Sequence, residues 1–179
     1  TDVLNAVSAA LDTDGLKAGG TVEHMPFKEG MCEQCHDPHA SEDRKLLSRR
    51  GNQLCVGCHA GQGAKVTTPH APVAGEKGCL SCHLPHAAKN KSLLTAKGED
   101  LCFSCHAKTK DALKSKQTHP PFKDAMCTTC HDPHGANLPL MFKGRMDKVC
   151  YTCHSDAETD FAQKHMHKPV RDGHCSSCH

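Results

Sequence analysis

The sequence predicts a mainly irregular chain with short α-helices and little or no β-sheet, folded around something other than its own side chains. Three observations lead there. The 179 residues include no Trp, one Tyr and five Phe, and the mean hydropathy is −0.57, which leaves too little apolar surface for a core of ordinary depth. There are 14 Cys and 16 His, and every cysteine lies in a C-x-x-C pair followed directly by histidine. First cysteines fall at positions 32, 55, 79, 102, 127, 150 and 175, and so regular a spacing marks a modular array.

The motifs are Cys32/Cys35/His36, Cys55/Cys58/His59, Cys79/Cys82/His83, Cys102/Cys105/His106, Cys127/Cys130/His131, Cys150/Cys153/His154 and Cys175/Cys178/His179. This spacing suits a covalently attached c-type haem: two thiols add across the vinyl groups on one porphyrin edge, and the adjoining histidine binds iron from beneath. Structural zinc uses C-x-x-C pairs two at a time, so seven is an awkward number, and zinc gives no reason for the histidines. A disulfide framework leaves the histidines unexplained as well. Seven haem c groups, each with its iron, are therefore expected, and they would supply the missing interior.

The elements follow in order. Residues 1–20 form an N-terminal helical segment: Val3, Leu4, Val7 and Leu11 share a helical face that would cover the first haem, and paired glycines close it. Residues 21–66, 67–114 and 115–162 are three two-haem units, and residues 163–179 are a half unit carrying the seventh haem. Units open on H-x-P, at His24, His70, His119 and His167. Within each full unit a first haem motif then carries a trailing histidine, in CEQCHDPH, CLSCHLPH and CTTCHDPH (His39, His86 and His134). An apolar pair follows (Leu46/Leu47, Leu93/Leu94, Met141/Phe142), and a second haem motif closes the unit. Short helices are expected at the C-x-x-C-H turns. These pieces form one haem array, not independent domains.

Nine histidines lie outside the haem motifs. If two imidazoles hold each iron, seven more ligands are needed, and the repeat supplies that number: His24, His70, His119 and His167 from H-x-P, with His39, His86 and His134 from the trailing positions. The economical order has each H-x-P histidine cap the first haem of its unit and each trailing histidine cap the second. A crossed order, with H-x-P histidines reaching back to the preceding unit, satisfies the same count. His165 could substitute for His167, His174 reads as a packing residue, and the methionines read as porphyrin-packing or surface side chains. A trailing histidine cannot reach the far side of its own neighbour's porphyrin, so it must serve another iron. Three residues of chain span at most about 11 Å, so the two irons lie close. Pro38, Pro85 and Pro133 disfavour helix continuation and turn the trailing histidine outward.

These motifs make the chain resemble the doubled-CxxCH family of multihaem c-type cytochromes across roughly residues 24–179. The resemblance implies a haem-dominated fold with short helices, closely stacked haems and electron transfer outside the cytoplasm. Paired imidazoles leave no open iron, so no enzyme activity is expected. The alternatives are a subunit of a polymeric or membrane-spanning cytochrome conduit for extracellular electron transfer and, further off, a multihaem reductase. No apolar run approaches the roughly 18 residues of a membrane helix. Haem attachment follows export, so a periplasmic or extracellular protein with its signal peptide removed is expected. The chain carries +2 before cofactors, and ionised haem propionates would make the holoprotein acidic. KNKSLLTAKGED and KTKDALKSKQ are basic but lack interleaved aromatics, so no nucleic-acid partner is read from them. Other redox proteins or cytochromes are the expected partners. The missing second half of the fourth unit suggests a fragment of a larger cytochrome, whose terminal haem would meet the rest of the chain or another copy.

Overall fold

The structure, a computed structural model, describes residues 13–17, 19–63 and 65–178. Most of the expected N-terminal helix lies outside them; Thr13–Lys17 is helical. The chain divides into two units, residues 1–64 with 72–119 and residues 65–71 with 120–179. As expected, irregular chain and short helices predominate. Sheet is confined to two antiparallel pairs. In the first unit β1 (Val22–Glu23) pairs with β3 (Ala87–Ala88). In the second, β2 (Thr68–Pro69) pairs with β4 (Gly135–Ala136). Each ladder joins the residues just before an H-x-P histidine to those just after a trailing histidine.

H-x-P is a helix start. His24 is extended (φ −68°, ψ 135°) and Met25–Lys28 is helical, with Pro26 in the first turn, where a missing N–H costs nothing. The turn closes when Met31 N donates to Pro26 O at 2.8 Å and Gly30 takes a φ of 69°, a left-handed cap that glycine enters freely. Lys168–Arg171 closes the same way, with Gly173 at φ 75° and His174 N donating to Pro169 O at 2.7 Å. In Pro120–Lys123 the cap position belongs to Ala125, at φ 52°. An alanine there is strained, so Ala125→Gly is expected to stabilise the second unit by about 1 kcal/mol. Denaturant unfolding measures this, and a loss of stability would contradict it.

The apolar pairs sit in a turn of unusual backbone. Lys45/Leu46, Ser92/Leu93 and Leu140/Met141 are consecutive non-glycine residues with φ between 54° and 61°. The turn folds back on the haem motif through single antiparallel bridges, His36 with Leu47, His83 with Leu94 and His131 with Phe142. In the first, Asp37 N donates to Leu46 O at 2.7 Å and Ser48 N to Cys35 O at 2.9 Å.

The side chains make almost no core. Among the described residues the buried hydrophobics are Ala87 and Ala88, at 2% and 1% exposure, and no large side chain is fully buried. Even these alanines are covered by backbone: a Cβ on Gly20 would stand 2.6 Å from Ala88 N. Asp147 is the buried charge, held by Arg145, whose Nε donates to Oδ1 at 2.6 Å. That hydrogen bond, first among several causes, holds the Asp147 carboxyl below its ordinary range.

Candidate haem-binding sites

Each haem motif with a described histidine is a single helical turn. The histidine N–H reaches back to the first cysteine carbonyl: His36 to Cys32 at 2.9 Å, His59 to Cys55 at 2.9 Å, His83 to Cys79 at 3.0 Å. His106 to Cys102, His131 to Cys127 and His154 to Cys150 span 3.0, 3.1 and 3.0 Å. Positions three and four apart share one helical face, so two thiols and an imidazole gather on one side of each turn. The seventh motif is described from Cys175 to Cys178, and the expected iron ligand His179 lies outside the described residues. The turn begins there as in the sixth: Cys178 N donates to Cys175 O at 3.4 Å, and Cys153 N to Cys150 O at 3.2 Å.

None of the fourteen cysteines is joined in a disulfide. They are not equally sheltered. Cys32, Cys58, Cys105, Cys153 and Cys178 are exposed, whereas Cys35, Cys55, Cys79, Cys82, Cys102, Cys127, Cys130, Cys150 and Cys175 are half-buried. In the second motif of each repeat, and in the seventh, the second cysteine is the more exposed of the two. Among the described residues no three or more His, Cys, Asp or Glu side chains cluster as a bare-metal site.

The left-handed turns explain how the motif histidines are aimed. His36 Nδ1 is 2.7 Å from Lys45 O, His83 Nδ1 is 2.7 Å from Ser92 O, and His131 Nδ1 is 2.8 Å from Leu140 O. A carbonyl only accepts, so Nδ1 carries the proton and Nε2 is left with its lone pair outward, the arrangement that orients a metal-binding imidazole. Sequence reasoning missed these three orienting carbonyls. Lys45, Ser92 and Leu140 share no side-chain character; their common signal is distance, nine residues after each histidine.

The distal candidates are brought together in pairs. In the first unit His24 N donates to His86 O at 2.8 Å, immediately beside the β1–β3 ladder. Each ring then faces a different motif histidine. The His24 and His59 centroids lie 6.0 Å apart with ring planes 24° from parallel, and the His36 and His86 centroids lie 6.1 Å apart at 26°. This differs from the economical order, which set His24 against the first haem of its unit; the ladder carries His24 past that motif to the second. Phe27 supports His86 at 5.1 Å. Burial, then the neighbouring His36, Lys45 and His24, lowers the His86 pKa and favours the neutral imidazole a metal needs. In the second unit β2–β4 sets His70 beside the trailing-histidine turn, and His70 Nδ1 is 2.8 Å from Pro133 O.

His39 departs from the expectation that it meets another iron-binding site. Its side chain is 93% exposed and contacts Asp37, Nδ1 to Oδ1, at 3.9 Å. The local turn is the same as at His134: backbone N–H to the aspartate two residues back, 2.9 Å at His39 and 3.0 Å at His134. The difference is tertiary. Ala87–Ala88 and Gly135–Ala136 after the other trailing histidines are in ladders, while the residues after His39 join no strand among the described residues. His167 starts a helix and is exposed, as are His165 and His174; His119 precedes the helix Pro120–Lys123.

Successive motifs adjoin within each unit, as their thiols record. Burial raises the Cys35 pKa, with Cys58 adding to the rise. Burial and the adjacent Cys79 push Cys55 up to about 11. Burial and Cys105 raise Cys82. In the second unit, burial raises Cys150, helped by Cys175 and Cys130. The Thr152 hydroxyl lies 3.9 Å from the exposed Cys153 Sγ. Asn52 ties the second motif to the third: its Nδ2 donates to Val73 O at 2.8 Å and its Oδ1 accepts from Cys79 N at 2.9 Å.

Modular turns with paired thiols, an imidazole aimed by a carbonyl, and motifs abutting in sequence order define a protein built to hold several haems. The family described as doubled CXXCH motif matches residues 24–64, 70–111 and 119–159, segments that begin at His24, His70 and His119. The match spans more than two thirds of the chain, which therefore belongs to this family: it is a multihaem c-type cytochrome of electron transfer, binding haem c through its cysteines. A search of the curated proteins found no match. The residues present fit the cofactor. Two metal–nitrogen bonds of about 2 Å each, plus about 1.2 Å from each nitrogen to its ring centre, set opposed axial imidazoles about 6.4 Å apart, close to the 6.0 and 6.1 Å found.

Proposed function

We propose that the chain carries seven haem c groups, one on each C-x-x-C-H motif, and relays electrons between redox partners outside the cytoplasm without catalysing a reaction. The observation that carries this reading is the adjacency of attachment thiols, Cys35 with Cys58, Cys55 with Cys79 and Cys82 with Cys105 in one unit, Cys130 and Cys175 with Cys150 in the other. A bound haem supplies one-electron chemistry at its iron and exchanges electrons with a close neighbour by tunnelling, which falls steeply with distance. The protein's residues do the rest. Cysteines set the separation of the macrocycles, and the carbonyls of Lys45, Ser92 and Leu140 hold the motif imidazoles in the metal-binding tautomer. Where two imidazoles face each other, as His24 with His59 and His86 with His36, they would hold a bound iron from both sides and exclude substrate. Among the described residues no helix is long and apolar enough to cross a membrane. Attachment of haem to such motifs follows export, so a periplasmic or extracellular site of action and a second cytochrome as partner agree with the family.

Intact-mass measurement of the purified holoprotein tests the cofactor count, with seven haem adducts expected; fewer would overturn it. Electron paramagnetic resonance should then find low-spin iron, and the reduced protein should not bind carbon monoxide. A high-spin, carbon-monoxide-binding haem in the unaltered protein would overturn the reading as a pure carrier.

A further inference from the structure

We propose that axial ligands are exchanged between repeats in the first unit: His24 completes the iron bound by His59, and His86, from the second two-haem repeat, completes the iron bound by His36. This rests on the cofactor reading above and adds which imidazole serves which iron. At 6.0 and 6.1 Å the ring pairs are too far apart for face contact, which needs about 3.5–4.0 Å between atoms, yet they match two ligands on opposite sides of one metal. Neither pair is an accident of a loose loop. The Val22–Glu23 and Ala87–Ala88 ladder and the His24 N–His86 O bond of 2.8 Å lock the two distal histidines side by side. Phe27 backs His86, and Lys45 O fixes the His36 ring that faces it.

The consequence is a particular connectivity. His83 and His86 stand three residues apart, one on the third motif and the other opposite the first. The short tether therefore joins the first and third haems, while the thiols join the first to the second and the second to the third. Residues 21–66 alone cannot complete their own first iron. Ligation and the β1–β3 pairing form or fail together.

The test uses the full-length holoprotein and iron spin state. His86→Ala is expected to convert one haem to a high-spin form that binds carbon monoxide when reduced, and added imidazole is expected to restore the low-spin signal. The identity of that haem is settled by deleting attachment sites. In a Cys32→Ser/Cys35→Ser background, which lacks the first haem, His86→Ala should add no high-spin haem, whereas His24→Ala should still add one. In a Cys55→Ser/Cys58→Ser background the two outcomes exchange. Persistence of the His86→Ala signal after loss of the first haem would overturn the assignment, as would an unchanged spectrum for His86→Ala in the unaltered protein. Intact mass of the parent separates the two readings: adducts missing at either motif would refute the cofactor reading itself, while a full complement with the wrong spin pattern refutes only the pairing.

Discussion

Replacing Ser92 by proline is expected to disable the third haem motif and destabilise the first unit by about 3 kcal/mol or more. Ser92 sits at φ 55° with Leu93 at 57°, and proline locks φ near −65°, so the chain cannot keep both the ring and the turn. The Ser92 carbonyl would swing away from His83 Nδ1, now 2.7 Å distant, and the bridge of His83 to Leu94 would open with it. Where the holoprotein survives, the lost hydrogen bond makes His83 a weaker donor, which favours the reduced iron. The potential of one haem should rise, by about 60 mV for each tenfold change in the relative affinity of the two oxidation states. Ser92→Gly is the control. Glycine enters the left-handed region without strain, so that variant should retain the potential and gain about 1 kcal/mol. A Ser92→Pro protein with unchanged potentials and unfolding would show that the carbonyl has no part in holding the histidine.

Replacing Gly135 by alanine is expected to cost the second unit about 3 kcal/mol, from backbone strain and overpacking together. Its φ is 123°, and an added Cβ would lie 2.8 Å from Val66 Cγ2, 3.0 Å from Pro69 Cα and 3.0 Å from Thr68 O. Thr68 and Pro69 are the opposing strand and Val66 leads into it, so relief requires β2 and β4 to part. That removes the contact of His70 Nδ1 with Pro133 O and loosens a distal histidine along with the fold. Gly30→Ala provides the comparison. It too has positive φ, at 69°, but nothing lies within 4 Å of an added Cβ, and about 1 kcal/mol is the expected cost. Thermal unfolding of the two variants should separate them clearly. Equal losses would mean that β2–β4 contributes nothing beyond backbone strain.

Much of the site was legible before any coordinates. Two cysteines and a histidine in five residues make one helical turn whatever surrounds them, so the motif histidines, the attachment thiols and the poverty of the core could be read directly. The helix starts at H-x-P were not read from the sequence, although proline is tolerated in a first turn and not later. The left-handed pairs at Lys45/Leu46, Ser92/Leu93 and Leu140/Met141 could not be read, because six residues of unlike chemistry adopt them and none is glycine. Their conformation is imposed from outside, by the hydrogen bonds of the bridge to the haem motif.

The pairing of distal histidines lay further out of reach. Counting supplied enough imidazoles for every iron and left two orders open; the same turn occurs at Asp37-Pro38-His39 and at Asp132-Pro133-His134, yet one histidine is exposed and the other sits beside a ladder. Sequence alone determined the chemistry of each repeat, because covalent attachment and helix-turn geometry act over a few residues. The tertiary structure alone decided which repeat serves which, because His24 and His86 are 62 residues apart and only strand pairing across that distance sets them side by side.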